Sequence, residues 1–70
     1  MSEVQYRILV SIKEYRDYYH KYPKIDFIAK RMMYSKTAIR YHLNKLIKMG
    51  MIQKNKDKTY SLKVYFWKVC

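Results

Sequence analysis

The hydrophobic pattern of this chain changes its period once, at Gly50. Up to that residue, the only glycine in the sequence, apolar side chains recur about every 3.6 positions; beyond it they alternate with a period of about 2. Such a switch predicts helices first and a strand pair last. The last helical stretch, Ser35 to Gly50, is the piece around which the other residues are arranged. Ile39, Leu43, Leu46 and Ile47 stack along one side of it, while Thr37, Tyr41, Asn44 and Lys48 line up opposite, flanked by Arg40 and Lys45. Ser35 is placed to cap its first turn, and Gly50 to end it in the left-handed conformation. A tight apolar stripe backed by Thr, Tyr, Asn, Arg and Lys suits a nucleic-acid groove. A solvated helix that is merely basic fits this one stretch equally well.

Charge narrows the choice. Sixteen Lys and Arg against five Asp and Glu give a formal net charge of +11 in 70 residues. An excess of that size concentrates polyanions and speeds encounter with them, so DNA, RNA and anionic membrane are the candidate partners. From Lys30 to Lys58 the only acid is Asp57; Glu3, Glu14, Asp17 and Asp26 all precede that stretch. The electrostatic footprint therefore falls on the middle and end of the chain. No apolar run approaches the roughly 20 residues that span a bilayer, and the polar start does not resemble a signal peptide. One cysteine, Cys70, rules out an internal disulfide and points to a reducing cytoplasm, on the nucleoid or, for a viral protein, in the host cell. Length predicts a single domain over 1–70, small enough for a partner chain to help stabilise it.

In chain order, residues 3 to 22 are predicted as a first helix. Val4, Ile8, Ile12, Tyr15, Tyr19 and Tyr22 lie on one face, Leu9 at its edge, and Lys13, Glu14 and Asp17 on the wet side. Tyr6 and Val10 make a second, smaller patch. Pro23 is expected to stop the helix. Residues 24 to 33 give a second helix, with Ile25, Ile28, Ala29 and Met32 inward, and Met33 and Tyr34 remain as a tight turn before the Ser35 helix. Met51 and Ile52 lead into a short strand ending near Lys54. Asn55-Lys56-Asp57-Lys58 forms a turn in which Asn and Asp suit left-handed positions, and Thr59 to Val69 is a second strand with Tyr60, Leu62, Val64 and Phe66 on one face.

The run Ile28-Ala29-Lys30-Arg31-Met32 through Ser35-Lys36-Thr37-Ala38-Ile39, then His42-Leu43, Leu46 and Gly50-Met51-Ile52, resembles winged helix-turn-helix DNA-binding domains. It is most similar to the DNA-binding domain of LexA-type repressors and nearly as close to MarR-like regulators, over roughly residues 5 to 63. The resemblance implies an α+β, mainly α fold: three helices followed by a two-stranded β-hairpin wing, with duplex DNA as ligand. Two departures stand out. Met33 occupies a turn position that is often glycine, which predicts a different bend, and LexA-type sequences carry one more residue in this turn. The self-cleaving LexA domain is absent, so nothing about damage response or proteolysis carries over.

Winged-helix proteins place the N-terminal residues of the third helix against base edges. The resemblance therefore assigns base reading to Ser35, Lys36, Thr37, Arg40 and Tyr41, with Asn44 deeper along the helix. Arg40 is suited to guanine and Asn44 to adenine, with about 1–3 kcal/mol of discrimination for a good bidentate pair; a phosphate contact or plain solvation is the alternative for each. Lys54, Lys56 and Lys58 at the wing suit phosphates, and also protect an edge strand. Lys24, Lys30 and Arg31 are expected to clamp the backbone beside the groove, with Lys45 and Lys48 contributing from the third helix.

His20, His42 and Cys70 show no paired ligand spacing, so no metal or other cofactor is expected; His42 reads as a packed, hydrogen-bonded histidine. No nucleophile, general base or phosphate-cradling loop is evident, and no enzymatic activity or small-molecule substrate is expected. The apolar tail predicts a homodimer in which Tyr65 and Trp67 meet the Tyr6 and Val10 patch of a second copy, presenting two recognition helices to a palindromic site. Folding of Trp67 onto its own helix is the alternative. The resulting expectation is a sequence-preferring transcriptional regulator, a repressor because occupancy of DNA alone suffices. A winged-helix protein–protein adaptor and a non-specific architectural or RNA-binding protein are the rivals.

Overall fold

The computed structural model describes residues 2–63, and they form three helices followed by an antiparallel hairpin. Helix α1 runs Glu3–Tyr19, α2 Ile25–Met32 and α3 Lys36–Lys48; strands β1 and β2 are Ile52–Lys54 and Tyr60–Leu62. The architecture is the expected α+β winged helix-turn-helix. Val64 to Cys70, including the predicted outer part of the second strand and the two dimer residues Tyr65 and Trp67, lie outside the described residues.

Each α1 boundary has a local cause. At the start Ser2 and Gln5 form a reciprocal capping box: the Gln5 amide donates to Ser2 Oγ at 3.2 Å, and the Ser2 amide donates to Gln5 Oε1 at 3.3 Å. At the end the helix stops three residues before the predicted Tyr22. His20 turns left-handed at φ 61°, a conformation histidine tolerates better than most residues, and its N–H closes on the Arg16 carbonyl at 2.8 Å. The chain is then free to extend. Lys24 is not helical, as predicted, but extended (ψ 169°) and paired with Thr59 in an isolated bridge, while the Tyr60 N–H bonds to the Pro23 carbonyl at 2.9 Å. Pro23 stands beside the hairpin because a residue without an N–H can still offer its carbonyl to a strand.

The α2–α3 turn corrects a second expectation. Met33 does what glycine would have done: it sits at φ 60°, its N–H reaches the Lys30 carbonyl at 3.2 Å, and the Tyr34 N–H reaches Ala29 at 3.0 Å. The end of α3 repeats this pattern on Gly50 (φ 76°), with Gly50 N–H to Ile47 at 3.0 Å and Met51 N–H to Leu46 at 3.1 Å. Both termini are Schellman motifs, one on glycine and one on an exposed methionine.

The core is built from one face of every element. Ile8, Leu9 and Ile12 of α1, Ile28, Ala29 and Met32 of α2, and Ile39, Leu43 and Leu46 of α3 close on Ile52, Tyr60 and Leu62 of the hairpin. Removal of each such Ile or Leu side chain from water stabilises the fold by about 1.5–3 kcal/mol. Val4, Tyr22 and Ile25 pack partly buried at its margin, but Tyr19, expected on the inner face, is half exposed because α1 ends beside it.

Candidate nucleic-acid interface

Helix α3 meets the core through Ile39, Leu43 and Leu46, and that contact decides what it presents outward. Ser35, Lys36, Thr37, Arg40, Tyr41 and Asn44 are all exposed, as are Lys45 and Lys48. Ser35 has a structural duty as well: its Oγ accepts the Ala38 N–H at 3.2 Å and so caps the helix.

The predicted set divides into two groups. Lys36 and Arg40 lie toward α2 and the hairpin. Lys36 Nζ is 2.7 Å from Asp26 Oδ1 in the first turn of α2, and that contact holds the Asp26 carboxyl below its usual range. Arg40 lies close enough to Tyr60 for its charge to oppose the upward shift that burial imposes on that phenol. Tyr41, Asn44, Lys45 and Lys48 lie on the other side and line an open groove with Ser2, Gln5 and Met49. Lys45 Nζ stands 5.2 Å from the Tyr41 ring centroid, and Tyr41 meets the His42 ring edge-on at 5.3 Å. His42 is half buried, and its Nδ1 lies 3.4 Å from Gln5 Nε2.

Pairs 52↔62, 53↔61 and 54↔60 set the register of the wing. Its loop is a turn closed by Lys58 N–H to Asn55 carbonyl at 3.0 Å, followed by one left-handed residue. That residue is Lys58 (φ 69°), not Asn55 or Asp57 as expected. The Asn and Asp side chains bond locally instead. Asp57 Oδ1 accepts both the Thr59 hydroxyl at 2.6 Å and the Thr59 N–H at 3.1 Å, and Asn55 Nδ2 donates to Thr59 Oγ1 at 3.0 Å. The one acid of the basic stretch is thereby turned onto its own loop, and its carboxyl is held below the usual range chiefly by the Thr59 hydroxyl. Lys54, Lys56 and Lys58 are exposed around it.

The expected backbone clamp on α2 is dispersed. Lys24 joins the wing through its bridge to Thr59, and Lys30 is exposed. Arg31 turns to α1, where its guanidinium is 2.7 Å from Glu14 Oε1. Sequence reasoning missed Gln5, which borders the α3 groove and ties α1 to His42; the spacing Ser2-x-x-Gln5 was the available signal.

These residues sit on a frame that a family comparison recognises. The sequence matches the DnaD N-terminal domain over residues 1–68. The chain belongs to that family. No curated protein matches it. The DnaD N-terminal domain has a winged-helix-like fold, which accounts for the helix-turn-helix pattern; the LexA-type or MarR-like likeness is finer than this match. Among the described residues of this DnaD-type domain, no helix is long and apolar enough to cross a membrane, and no group of His, Cys, Asp and Glu is placed to hold a metal ion.

Proposed function

We propose that this domain binds double-stranded DNA, with α3 in the major groove and the wing on the backbone beside it. The carrying observation is the excess of exposed cations on that surface, where the acids Asp26 and Asp57 are engaged by Lys36 and Thr59. Arg40, Lys45, Lys48, Lys54, Lys56 and Lys58 are all exposed, and none has a salt-bridge partner among the described residues. Uncompensated cations on such a surface neutralise DNA phosphates and release the counterions condensed on them. In this reading Arg40, Tyr41 and Asn44 meet base edges, Ser35, Lys36 and Thr37 enter first, and Lys24, Lys54, Lys56 and Lys58 hold phosphates.

Membership of a replication-related family favours a role in replication over the repression expected from sequence. Self-association belongs to the same proposal. It would set two α3 helices about 34–36 Å apart on duplex DNA, with the half-exposed Tyr6 and half-buried Val10 at the contact. Sedimentation that finds only monomer at high concentration removes the dimer.

The test of DNA binding is a salt titration on genomic duplex fragments with Arg40→Ala and Lys56→Ala in parallel. Steep salt dependence with a fragment preference supports the reading. Loss of preference in Arg40→Ala, against uniform weakening in Lys56→Ala, supports the division between helix and wing. Absence of binding to any duplex transfers the basic face to an acidic protein partner. Occupancy mapped in cells separates the two uses: promoters for repression, replication origins for the family role.

A further inference from the structure

The last described residue, Lys63, lies beside an open groove. Its N–H bonds the Met51 carbonyl at 2.9 Å, and the Met51 N–H bonds the Leu46 carbonyl at the end of α3 at 3.1 Å. Met49, two residues before Met51, is 48% exposed and lines the groove between the start of α1 and the outer face of α3. Tyr41, 57% exposed, lines it as well, together with Lys45 and Lys48. Two large apolar side chains left in water on one concave surface mark a place that a further group covers.

The chemistry of the groove selects its occupant. Two lysines and no carboxylate border it, so it rejects a cationic group and favours a π-face. Lys45 Nζ already stands 5.2 Å from the Tyr41 ring centroid, and Lys48 has no salt-bridge partner among the described residues. The Met49 thioether is a favourable neighbour for an aromatic ring, and the Asn44 amide offers the acceptor that a covered indole N–H requires. Such a site takes an indole.

The sequence holds one tryptophan, Trp67, four positions beyond Lys63. Paired strands lie about 5 Å apart and two residues of chain span at most about 7 Å, which puts Met49 within about 12 Å of Lys63. Four extended positions reach about 13 Å, enough to bring Trp67 to the groove. Tethering favours this ring over any other. A short tether presents its group at millimolar effective concentration, about a thousandfold above a second copy at micromolar concentration.

We propose that Trp67 docks in the groove of its own chain, its indole against Tyr41 and Met49 and within reach of Lys48. The tail thereby covers the middle of the outer face of α3, and a duplex must displace it to reach Asn44 and Lys45. That competition rests on the duplex reading above; the docking does not.

The test is the fluorescence of Trp67, which as the only tryptophan reports alone when excitation lies beyond tyrosine absorption. It compares wild type, Tyr41→Ala and Met49→Ala with Tyr18→Ala, an exposed control outside the groove, and thermal melts confirm the fold. Wild type should emit toward the blue and resist quenching by acrylamide. Both groove variants should shift the emission to the red and raise the quenching, and Tyr18→Ala should change neither. Wild-type emission like that of free tryptophan overturns the proposal. So do groove variants that emit like wild type, or a Tyr18→Ala shift equal to theirs. Emission that moves to the red on dilution assigns the ring to the groove of a second copy and overturns it too. Duplex then tests the competition. Added duplex should move the wild-type emission to the red, and Trp67→Ala should bind duplex several-fold more tightly than wild type, because more of it is competent to bind. Duplex that binds with the emission unmoved overturns the competition. Wild type that shows the groove-dependent emission but binds no duplex sinks only the earlier reading.

Discussion

Asp26 Oδ1 and Lys36 Nζ meet at 2.7 Å, one at the start of α2 and the other at the start of α3, on a surface where exposed cations outnumber acids. Both groups are more than half exposed, so the pair contributes little to stability. Its consequence lies in binding: a phosphate arriving at Lys36 must displace a carboxylate already there. Asp26→Asn is therefore expected to raise affinity for duplex of any sequence several-fold and to steepen the salt dependence by about one unit of slope. Anisotropy titrations at several salt concentrations measure both. Unchanged affinity with an unchanged slope would mean that Lys36 stays clear of the DNA.

Met33 and Gly50 close their helices with the same backbone geometry, but only glycine adopts it without steric cost. Met33 is 91% exposed, so little packing is lost with its side chain. Met33→Gly is expected to stabilise the domain by about 0.5–1 kcal/mol, and Gly50→Ala to destabilise it by about 1 kcal/mol. A Cβ at position 50 would meet nothing within 4 Å, so the second effect is conformational and not a clash. In a domain of this size about 1 kcal/mol moves the melting temperature by roughly 4–8 °C, readable by circular dichroism.

These two residues also show how far the fold is legible in the amino-acid sequence. Periodicity located the helices and the hairpin, because burying one stripe per element is a property of the pattern itself: Ile39, Leu43 and Leu46 read as core and are core. The helix ends were less legible. Pro23 suggested a stop near Tyr22, but the stop is set by a left-handed His20 and by the pairing of Pro23 and Lys24 with the hairpin, a contact between segments more than thirty residues apart. The exposure of the candidate site was legible on α3, whose outer face follows from its inner one. The partners of its cations were not. Arg31 read as a backbone clamp and Lys36 as a base reader, yet one bonds Glu14 on α1 and the other Asp26 on α2, pairings that only the packing of helices creates.

Asp57 gives the wing a defined response to acid. Its carboxylate accepts two bonds from Thr59, and its folded pKa is depressed chiefly by the hydroxyl. A depressed carboxyl contributes stability above its unfolded pKa of about 3.9, and that contribution is lost as pH falls through the lower folded value. The wing loop should therefore keep its bonds through neutral and mildly acidic pH and release them only below the ordinary carboxylate range. The Thr59 amide chemical shift, followed by NMR on acidification, should move with a midpoint below that of Asp in a short peptide. A midpoint at the peptide value would mean that the two bonds are not maintained in solution.

Gln5 carries two connections on one side chain: it completes the cap of α1 and lies 3.4 Å from His42 in the middle of α3. It is 7% exposed, unusual for a polar residue so near a helix start, and no buried side-chain nitrogen or oxygen among the described residues lacks a partner. Gln5→Ala removes both connections and leaves the half-buried His42 nitrogen without its amide, at an expected cost of about 1–2 kcal/mol. Part of that cost belongs to the cap and part to the histidine, and a double-mutant cycle with His42→Ala separates them. A coupling of about 0.5 kcal/mol or more identifies the Gln5–His42 contact as the tie between α1 and the groove side of α3. Strict additivity would assign the whole cost to the cap and leave α3 held by its apolar face alone.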